Sequence, residues 1–153
     1  SADATFLTAT SGEGVTLAGT LAVTGVHTVG TNAVATSDGG ATTTSIVQGL
    51  AKAWSNNNMQ GTPAFNDSFN FSSITDTATG RQKNTFSNNM TNDDYAGGGI
   101  APVASTGTAY SSSMMTEQQT TSFFSFMSVY VGGSVQTIHD FPNVGLIIQG
   151  DLA

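Results

Sequence analysis

The chain of 153 residues is long enough for one domain with a substantial core, and only 8% of its residues are charged, against about 25% in an ordinary soluble domain. Its formal net charge is −7, and its only basic residues are Lys52, Arg81 and Lys83. Nucleic acids and anionic membrane surfaces are bound through several cationic contacts, so the composition excludes both as partners.

The composition favours β-structure. Apolar residues make up 38% of the chain and include nine Phe, which argues against disorder. Thr and Val suit a pleated surface, and Gly, Asn and Asp supply turns. The sequence has no cysteine, no apolar run long enough to span a membrane and no signal-peptide pattern at its start. We predict a mainly β fold: an antiparallel β-sandwich or jelly-roll-like body with one short helix and an extended N-terminal β-arm.

The N-terminal part of the chain has the pattern of short strands, at residues 4–10 and 15–31. Apolar side chains in the second stretch share one parity: Val15, Leu17, Leu21 and Val23. Residues 35–43 are rich in Gly, Asp, Ser and Thr and are predicted to form a loop. We therefore divide a single domain spanning the whole chain into an arm at 1–43 and a body at 44–153.

The body is predicted to begin with a helix at about 45–55. Its apolar residues have the i, i+4, i+7, i+8 spacing of one helix face: Ile46, Leu50, Ala53 and Trp54. Thr44 or Ser45 can cap this helix, and the asparagines at 56–58 can end it. The alternative is a strand, because Gly49 inside a helix costs about 1 kcal/mol relative to Ala. On the helix interpretation Trp54 belongs to the core.

The clearest hairpin lies in the middle of the chain. Phe69 and Phe71 alternate with polar residues, TDTATG at 75–80 is a turn, and residues 81–88 form the return strand.

Two later stretches, at 122–131 and 144–152, are apolar on both faces. Such strands are buried on both sides, inside a sandwich or against another subunit. The predicted structural core collects the large apolar residues of all these elements: Ile46, Leu50, Trp54, Phe69, Phe71, Phe86, Tyr95, Phe124 and Phe126.

No pattern of residues predicts a catalytic, cofactor or metal site, and we do not expect an enzyme. The pair at 139–140, His-Asp, has no recognisable nucleophile and is predicted to be structural. The Asn and Asp residues at 92–94 and 38–40 lack the spacing of a calcium loop and are predicted to be turns. Arg81 and Lys83 share one strand face, which is either solvated or paired with a neighbour's carboxylate.

Three stretches resemble a module of tailed-bacteriophage virion proteins that is often found at the end of tail fibres: LAKAWSNNNMQG, DSFNFSSITDTATG and NTFSNNMTNDDY. The resemblance covers about a third of the chain, within residues 50–95. The matching positions are Lys52, Ala53, Trp54, Asn58, Ser68 to Asp76 (with Phe71 for the usual Val), Gly80, Phe86, Met90 and Tyr95. The chain departs from the module at 56–60 and 81–84. In the arm, TLAGTLAVTG is similar to the short β-segments of trimeric phage fibres.

The resemblance implies a structural protein of a tailed-phage virion, made in the host cytoplasm and located at the virion surface. The expected partners are further copies of the chain, as a homotrimer, and the major capsid protein or another virion protein. The arm at 15–31 also supports a homotrimer. Natural edge strands are protected by Lys, Pro or bulges, and this stretch has no Lys or Pro and only a shift of the apolar alternation at Gly25–Val26 that suggests a turn or bulge. Its edges are therefore expected to be covered by neighbouring copies or by capsid protein.

Two positions on the virion are compatible with the resemblance. Only about 40 residues precede the module, which favours a capsid decoration or cement protein, because a fibre needs a long shaft. The usual occurrence of the module in fibres favours a short tail-fibre or receptor-binding, adhesin-like protein.

Overall fold

The computed structural model describes part of the chain, namely residues 20, 22–28, 33–36, 43–101, 111–132 and 135–153. The chain divides into two units, Ser1–Thr31 and Asn32–Ala153. The second unit therefore begins before residue 44, the predicted start of the body, because the short strand at Val34–Thr36 pairs with one at Thr43–Ser45.

In the first unit the structure describes Thr20 and residues 22–28, and all of them are exposed and outside any strand. These residues therefore form no strand within a single chain, and the β-arm, which we expect to pair with partner chains, stays a prediction. A strand needs a hydrogen-bonded partner, and alternation of side chains does not provide one. The remainder of that stretch and the strand predicted at 4–10 lie outside the described residues.

The described part of the second unit contains eleven strands and one short helix, α1 (Ile46–Gly49). In chain order the strands are β1 (Val34–Thr36), β2 (Thr43–Ser45), β3 (Ala53–Asn58), β4 (Ala64–Phe69), β5 (Phe71–Ala78), β6 (Arg81–Phe86), β7 (Ala96–Ile100), β8 (Ser111–Gln119), β9 (Phe123–Gly132), β10 (Val135–Ile138) and β11 (Val144–Gln149). No helix among the described residues has the length and hydrophobicity needed to cross a membrane.

The strands form two main antiparallel sheets besides the β1–β2 pair. Sheet I runs β5–β6–β9–β8, with β10 pairing with the second half of β9. Sheet II has the order β4–β3–β11–β7. The inner faces of the two sheets enclose the core, so the predicted mainly β sandwich with one short helix is confirmed.

The helix is shorter than predicted. The Ser45 side chain accepts a hydrogen bond from the backbone N–H of Gln48, and the backbone is extended again at Leu50. The helix predicted over 45–55 is therefore wrong beyond Gly49, and the strand alternative is correct from Ala53. Pairing of β3 with both β4 and β11 stabilises the strand and overrides the helical spacing, which is a weak prior.

The predicted hairpin is confirmed as β5 and β6, but its predicted bounds are wrong. The turn occupies only 79–80 instead of 75–80, because β5 continues to Ala78, and the return strand ends at Phe86 rather than at residue 88. Gly80 has a φ of 65°, and a Cβ there would lie 2.7 Å from the backbone nitrogen of His139. Phe69, however, belongs to a different strand from Phe71. Between them Asn70 has a φ of 59°, and at this corner the chain passes from sheet II to sheet I.

The Asn70 side chain holds this corner in place. Its amide nitrogen donates to the carbonyl oxygens of Lys52 (3.0 Å) and Asn88 (3.1 Å), and its carbonyl oxygen accepts from the backbone N–H of Asn88 at 2.8 Å. Asn tolerates the left-handed region better than other residues with a side chain. The hydrogen bonds therefore stabilise a conformation that costs little at this residue.

A chain of aromatic rings runs through the core. Neighbouring ring centroids lie 5.1–6.3 Å apart, within the range in which aromatic pairs contribute about 0.5–1.5 kcal/mol beyond burial. The rings belong to five residues of the predicted core, all of them buried: Phe71, Phe86, Tyr95, Phe124 and Phe126. The prediction of core residues is confirmed for these five.

Two of these rings lie on β9, which pairs with β8 along one edge and with β6 and β10 along the other. Phe124 and Phe126 are fully buried, whereas Phe123 and Met127 on the opposite face are half-buried. The predicted burial of both faces is therefore confirmed only for the inner face of this part of β9, because the opposite face is only partly covered within one chain.

Tyr95 anchors the far end of the core. Its hydroxyl lies 3.1 Å from the carbonyl oxygens of both Thr120 and Phe123 and can donate a hydrogen bond to either. Burial raises the pKa of Tyr95 from its ordinary 10.0 to about 12, although the hydrogen bond to Thr120 opposes the shift. The side chain therefore stays neutral well above physiological pH.

Candidate interaction surface

The outer face of sheet II carries a row of exposed apolar side chains, which we call the apolar row: Phe69, Trp54 and Ile147. They are direct partners across three neighbouring strands, β4, β3 and β11. Their exposed fractions are 51%, 37% and 52%. Alternation explains their position. On either side of Ile147, the neighbouring residues Leu146 and Ile148 are buried on the inner face.

An open groove of about 580 Å³ lies beside the apolar row. Ile100, with 76% of its surface exposed, lies opposite Gly145 across the β7–β11 pair. None of the residues that line the groove is charged: Trp54, Ser55, Gly98, Gly99, Ile100, Gly145, Leu146 and Ile147. The groove is therefore suited to an apolar contact, whereas a charge is present elsewhere on the same face, at the exposed Asp67.

Three successive glycines in β7 set the shape of the groove. A Cβ at Gly97 would lie 2.7 Å from the Phe124 ring, and one at Gly99 would collide with the backbone oxygen of Gly145. Close packing thus requires these two glycines. Gly98 continues the apolar row as the partner of Ile147, and a Cβ there would meet nothing within 4 Å. The absence of a side chain at Gly98 leaves the groove open without being required by the fold.

A polar network borders the apolar row. The side-chain nitrogen of Asn66 lies 3.2 Å from three acceptors, the side-chain oxygens of Asn56 and Asn143 and the backbone oxygen of Pro142. Asn56 lies next to the row, with Asp67 and Gly145 as its strand partners. An apolar centre with a polar rim is the usual composition of a protein–protein contact surface.

Four residues of the predicted core lie on the surface of a single chain. Ile46 and Leu50 are 42% and 58% exposed, and Trp54 and Phe69 belong to the apolar row. The prediction of a buried position is wrong for these four. The first two follow from the end of α1 at Gly49, and the other two from strand geometry, which directs alternate side chains to opposite faces.

His139 and Asp140 have structural contacts. The His139 ring lies between Tyr130 and Phe141, with centroids 5.7 and 5.0 Å away, and both contacts are edge-to-face. Asp140 accepts a hydrogen bond from the backbone N–H of Gly80. The pair follows the end of β10 and fastens the β5–β6 turn, which agrees with the predicted structural role.

The acidic segment at 92–94 forms a local turn, in which the backbone N–H of Asp94 donates to the Asn92 side chain at 3.0 Å. Within the described residues, no three His, Cys, Asp or Glu side chains come together as they would around a metal ion. The other predicted turn, at 38–40, lies outside the described part of the chain.

The two basic residues of β6 have partners in their own chain. Arg81 forms an ion pair with Glu117, and the ammonium nitrogen of Lys83 lies 5.3 Å from the centroid of the Phe123 ring. The predicted pairing with a neighbour's carboxylate is therefore confirmed for Arg81, with Glu117 of the same chain as the partner, whereas Lys83 lies against an aromatic ring. The sequence pattern did not identify these partners, because β8 and β9 are distant in the chain.

Sequence reasoning also missed a polar group between the two sheets. Asn57, Gln82 and Asn84 have no exposed surface, and Ser55 is 4% exposed. Alternation in β6 was the available signal, since it places Gln82 and Asn84 on the same face as Phe86. Asparagine and glutamine are seldom buried in a core, so the polarity of these residues predicted an exposed position.

Comparison with known proteins adds no relative to these observations. No family model matches the chain, and neither the curated proteins nor the solved structures give a match. The sequence resemblance to the phage module remains a prediction.

Proposed function

We propose that the protein is a structural protein of a tailed-phage virion that associates with its own copies, as a homotrimer, through the outer face of sheet II. The observation that carries this proposal is the apolar row. Trp54 and Phe69 belong both to this row and to the segments that resemble the phage module. An exposed apolar patch of this kind marks a contact surface more often than a solvated one.

Charge favours a second copy at this face. Each chain has a net charge of −7, so copies repel one another over most of their surface. The apolar row and its groove carry no charged side chain, and two chains can therefore approach here with the least repulsion. Burial of Trp and Phe side chains stabilises such a contact by about 25 cal/mol per Å² of apolar area, and aromatic residues dominate the binding energy of many interfaces.

Light scattering on the purified chain tests the association. We expect a mass of about three times 15.6 kDa for the unmodified protein. Ile147→Asp places a charge in the row, directly opposite Trp54, and is expected to yield monomers. Val135→Asp is the matched control, since Val135 is 64% exposed on β10 of the other sheet. An unmodified chain that stays monomeric, or an Ile147→Asp variant that stays trimeric, would contradict the proposal.

On the virion we propose the position of a capsid decoration or cement protein, in contact with the major capsid protein. The second candidate is a short tail-fibre or receptor-binding protein, which is favoured by the open groove beside Trp54, since a concave site can hold a ligand. Electron microscopy of particles bound by gold-labelled protein separates the two. Label over the capsid shell supports decoration, and label at the tail tip supports the fibre.

A further inference from the structure

The polar group between the sheets contains side-chain atoms that lack hydrogen-bond partners. Asn84 donates to the side-chain oxygens of Ser55 and Asn57, each at 3.2 Å. Four other atoms of the group have no partner in the described part of the chain: Asn57 Nδ2, Gln82 Nε2, Gln82 Oε1 and Asn84 Oδ1. A buried polar atom without a partner costs about 1–3 kcal/mol, so four of them require an explanation.

We infer that the interior of the sandwich is a binding site for at least one ordered water molecule, held by Gln82 together with Asn57 or Asn84. Two of the four atoms are donors and two are acceptors. A water molecule donates two hydrogen bonds and accepts two, so its capacity matches this set. Buried waters in proteins typically make about three such hydrogen bonds.

The chemistry of the site selects a neutral ligand. All four atoms belong to uncharged amides, and an ion held by them would lack a compensating charge, which is very costly in an apolar interior. Most strand partners of these residues are apolar: Phe126 for Gln82, Phe124 and Ile74 for Asn84, and Val144 and Phe65 for Asn57. The other strand partner of Gln82, Asp76, is charged but exposed to solvent. An ion is therefore disfavoured, and a small neutral molecule with both donors and acceptors fits.

Enclosure gives the site a second property. Phe124, Phe126 and Val144 have no exposed surface, so water can leave only when the sheets open locally. Such opening is much slower than exchange at the surface. The bound water therefore remains in place far longer than any water of the outer hydration layer.

A crystal structure of the unmodified protein at a resolution that shows ordered waters tests the inference directly. We expect a water oxygen about 2.7–3.2 Å from the Gln82 amide and from at least one of the Asn57 and Asn84 amides. Amides that hydrogen-bond one another directly, with no water between them, would overturn the inference.

Oxygen-17 relaxation dispersion of water provides the second measurement, because its amplitude counts long-lived internal waters. Gln82→Met keeps the side-chain length and removes both unpartnered atoms of Gln82. We expect its amplitude to fall by at least one water relative to the unmodified protein. Gln136→Met, at an exposed position on β10, is the control and is expected to change nothing. Equal amplitudes in all three folded proteins would refute the site, and if Gln82→Met does not fold, the crystal structure decides.

Discussion

The two faces of β3 in sheet II differ in the opposite sense from most strands, whereas the neighbouring β11 has the usual arrangement, with Val144, Leu146 and Ile148 buried on the inner face. In β3 the inner face carries Ser55 and Asn57, both buried, whereas the outer face carries Trp54, which is 37% exposed. An antiparallel sheet with one solvated face normally places apolar residues inside and polar residues outside. This inversion in β3 agrees with the proposed contact at its outer face, and the inner face depends on hydrogen bonds as well as on packing. Substitutions on the two faces should therefore affect different properties of the protein.

The largest effect is expected inside the sandwich. Phe124→Ala removes a fully buried ring that contacts both Tyr95 and Phe126, and should reduce the free energy of unfolding by about 3–5 kcal/mol. Denaturant titration measures this loss. Phe123→Ala, on the half-buried face of the same strand, is the matched control and should cost clearly less. Equal losses for the two variants would show that both faces of β9 are equally covered.

The outer face should affect association more than folding. Trp54→Ala is expected to weaken self-association by about 2 kcal/mol, or roughly 30-fold, because it shortens the apolar row. In the monomeric state, the free energy of unfolding should fall by less than about 1 kcal/mol, since part of the ring is already solvated. Sedimentation equilibrium and denaturant titration measure the two quantities. A loss of about 3–5 kcal/mol in the monomer would show instead that Trp54 is a core residue.

Two adjacent glycines sharpen the same comparison. Gly97→Ala directs a methyl group onto Phe124 and Ile148 and should destabilise the fold by about 1–3 kcal/mol through overpacking. Gly98→Ala points into the open groove and should be neutral or stabilising by about 0.5–1 kcal/mol, because alanine has less conformational freedom in the unfolded chain. Thermal unfolding of both variants provides the measurement. Similar melting temperatures would contradict the assignment of Gly98 to the outer face.

The smallest effect concerns pH. The pKa of Tyr95 is raised to about 12 in the folded chain from an ordinary 10.0, so the unfolded chain loses this proton first. The stability that this shift contributes is complete below pH 10 and is lost as the pH rises towards 12, by about 1 kcal/mol between pH 10 and pH 11. In denaturant titrations at pH 10 and pH 11, the free energy of unfolding of Tyr95→Phe should fall by about 1 kcal/mol less than that of the unmodified protein. Parallel pH profiles would contradict the shift.

The parts of the fold that sequence predicted correctly depend on strong local patterns. The β5–β6 hairpin has a clear turn, and Phe124 and Phe126 lie in a strand that is apolar on both faces. The helix was overextended because AWSNNN has few apolar residues to mark it as a strand. Only its pairing with β4 and β11 makes it one, and pairing between distant segments leaves no local signal.

The candidate surface was harder to predict for a related reason. Trp54 and Phe69 are large apolar residues, and hydrophobicity alone assigns them to a core. Their exposure depends on which face of sheet II is covered within one chain, which is a property of the whole sandwich. The buried amides of Gln82 and Asn84 are the converse case. Strand alternation places both side chains on the same face of β6 as Phe86, whereas their polarity would predict the solvent-exposed face.

The position of β11 in sheet II has a consequence for synthesis of the protein. This strand lies between β3 and β7, yet the ribosome makes it after every other described strand. Ile147, the member of the apolar row on β11 with Trp54 and Gly98 as its partners, therefore emerges several seconds after Phe69 at the usual 5–20 residues per second. A nascent chain that has not reached β11 carries an incomplete row, so the order of translation would delay the proposed contact between copies until sheet II is complete.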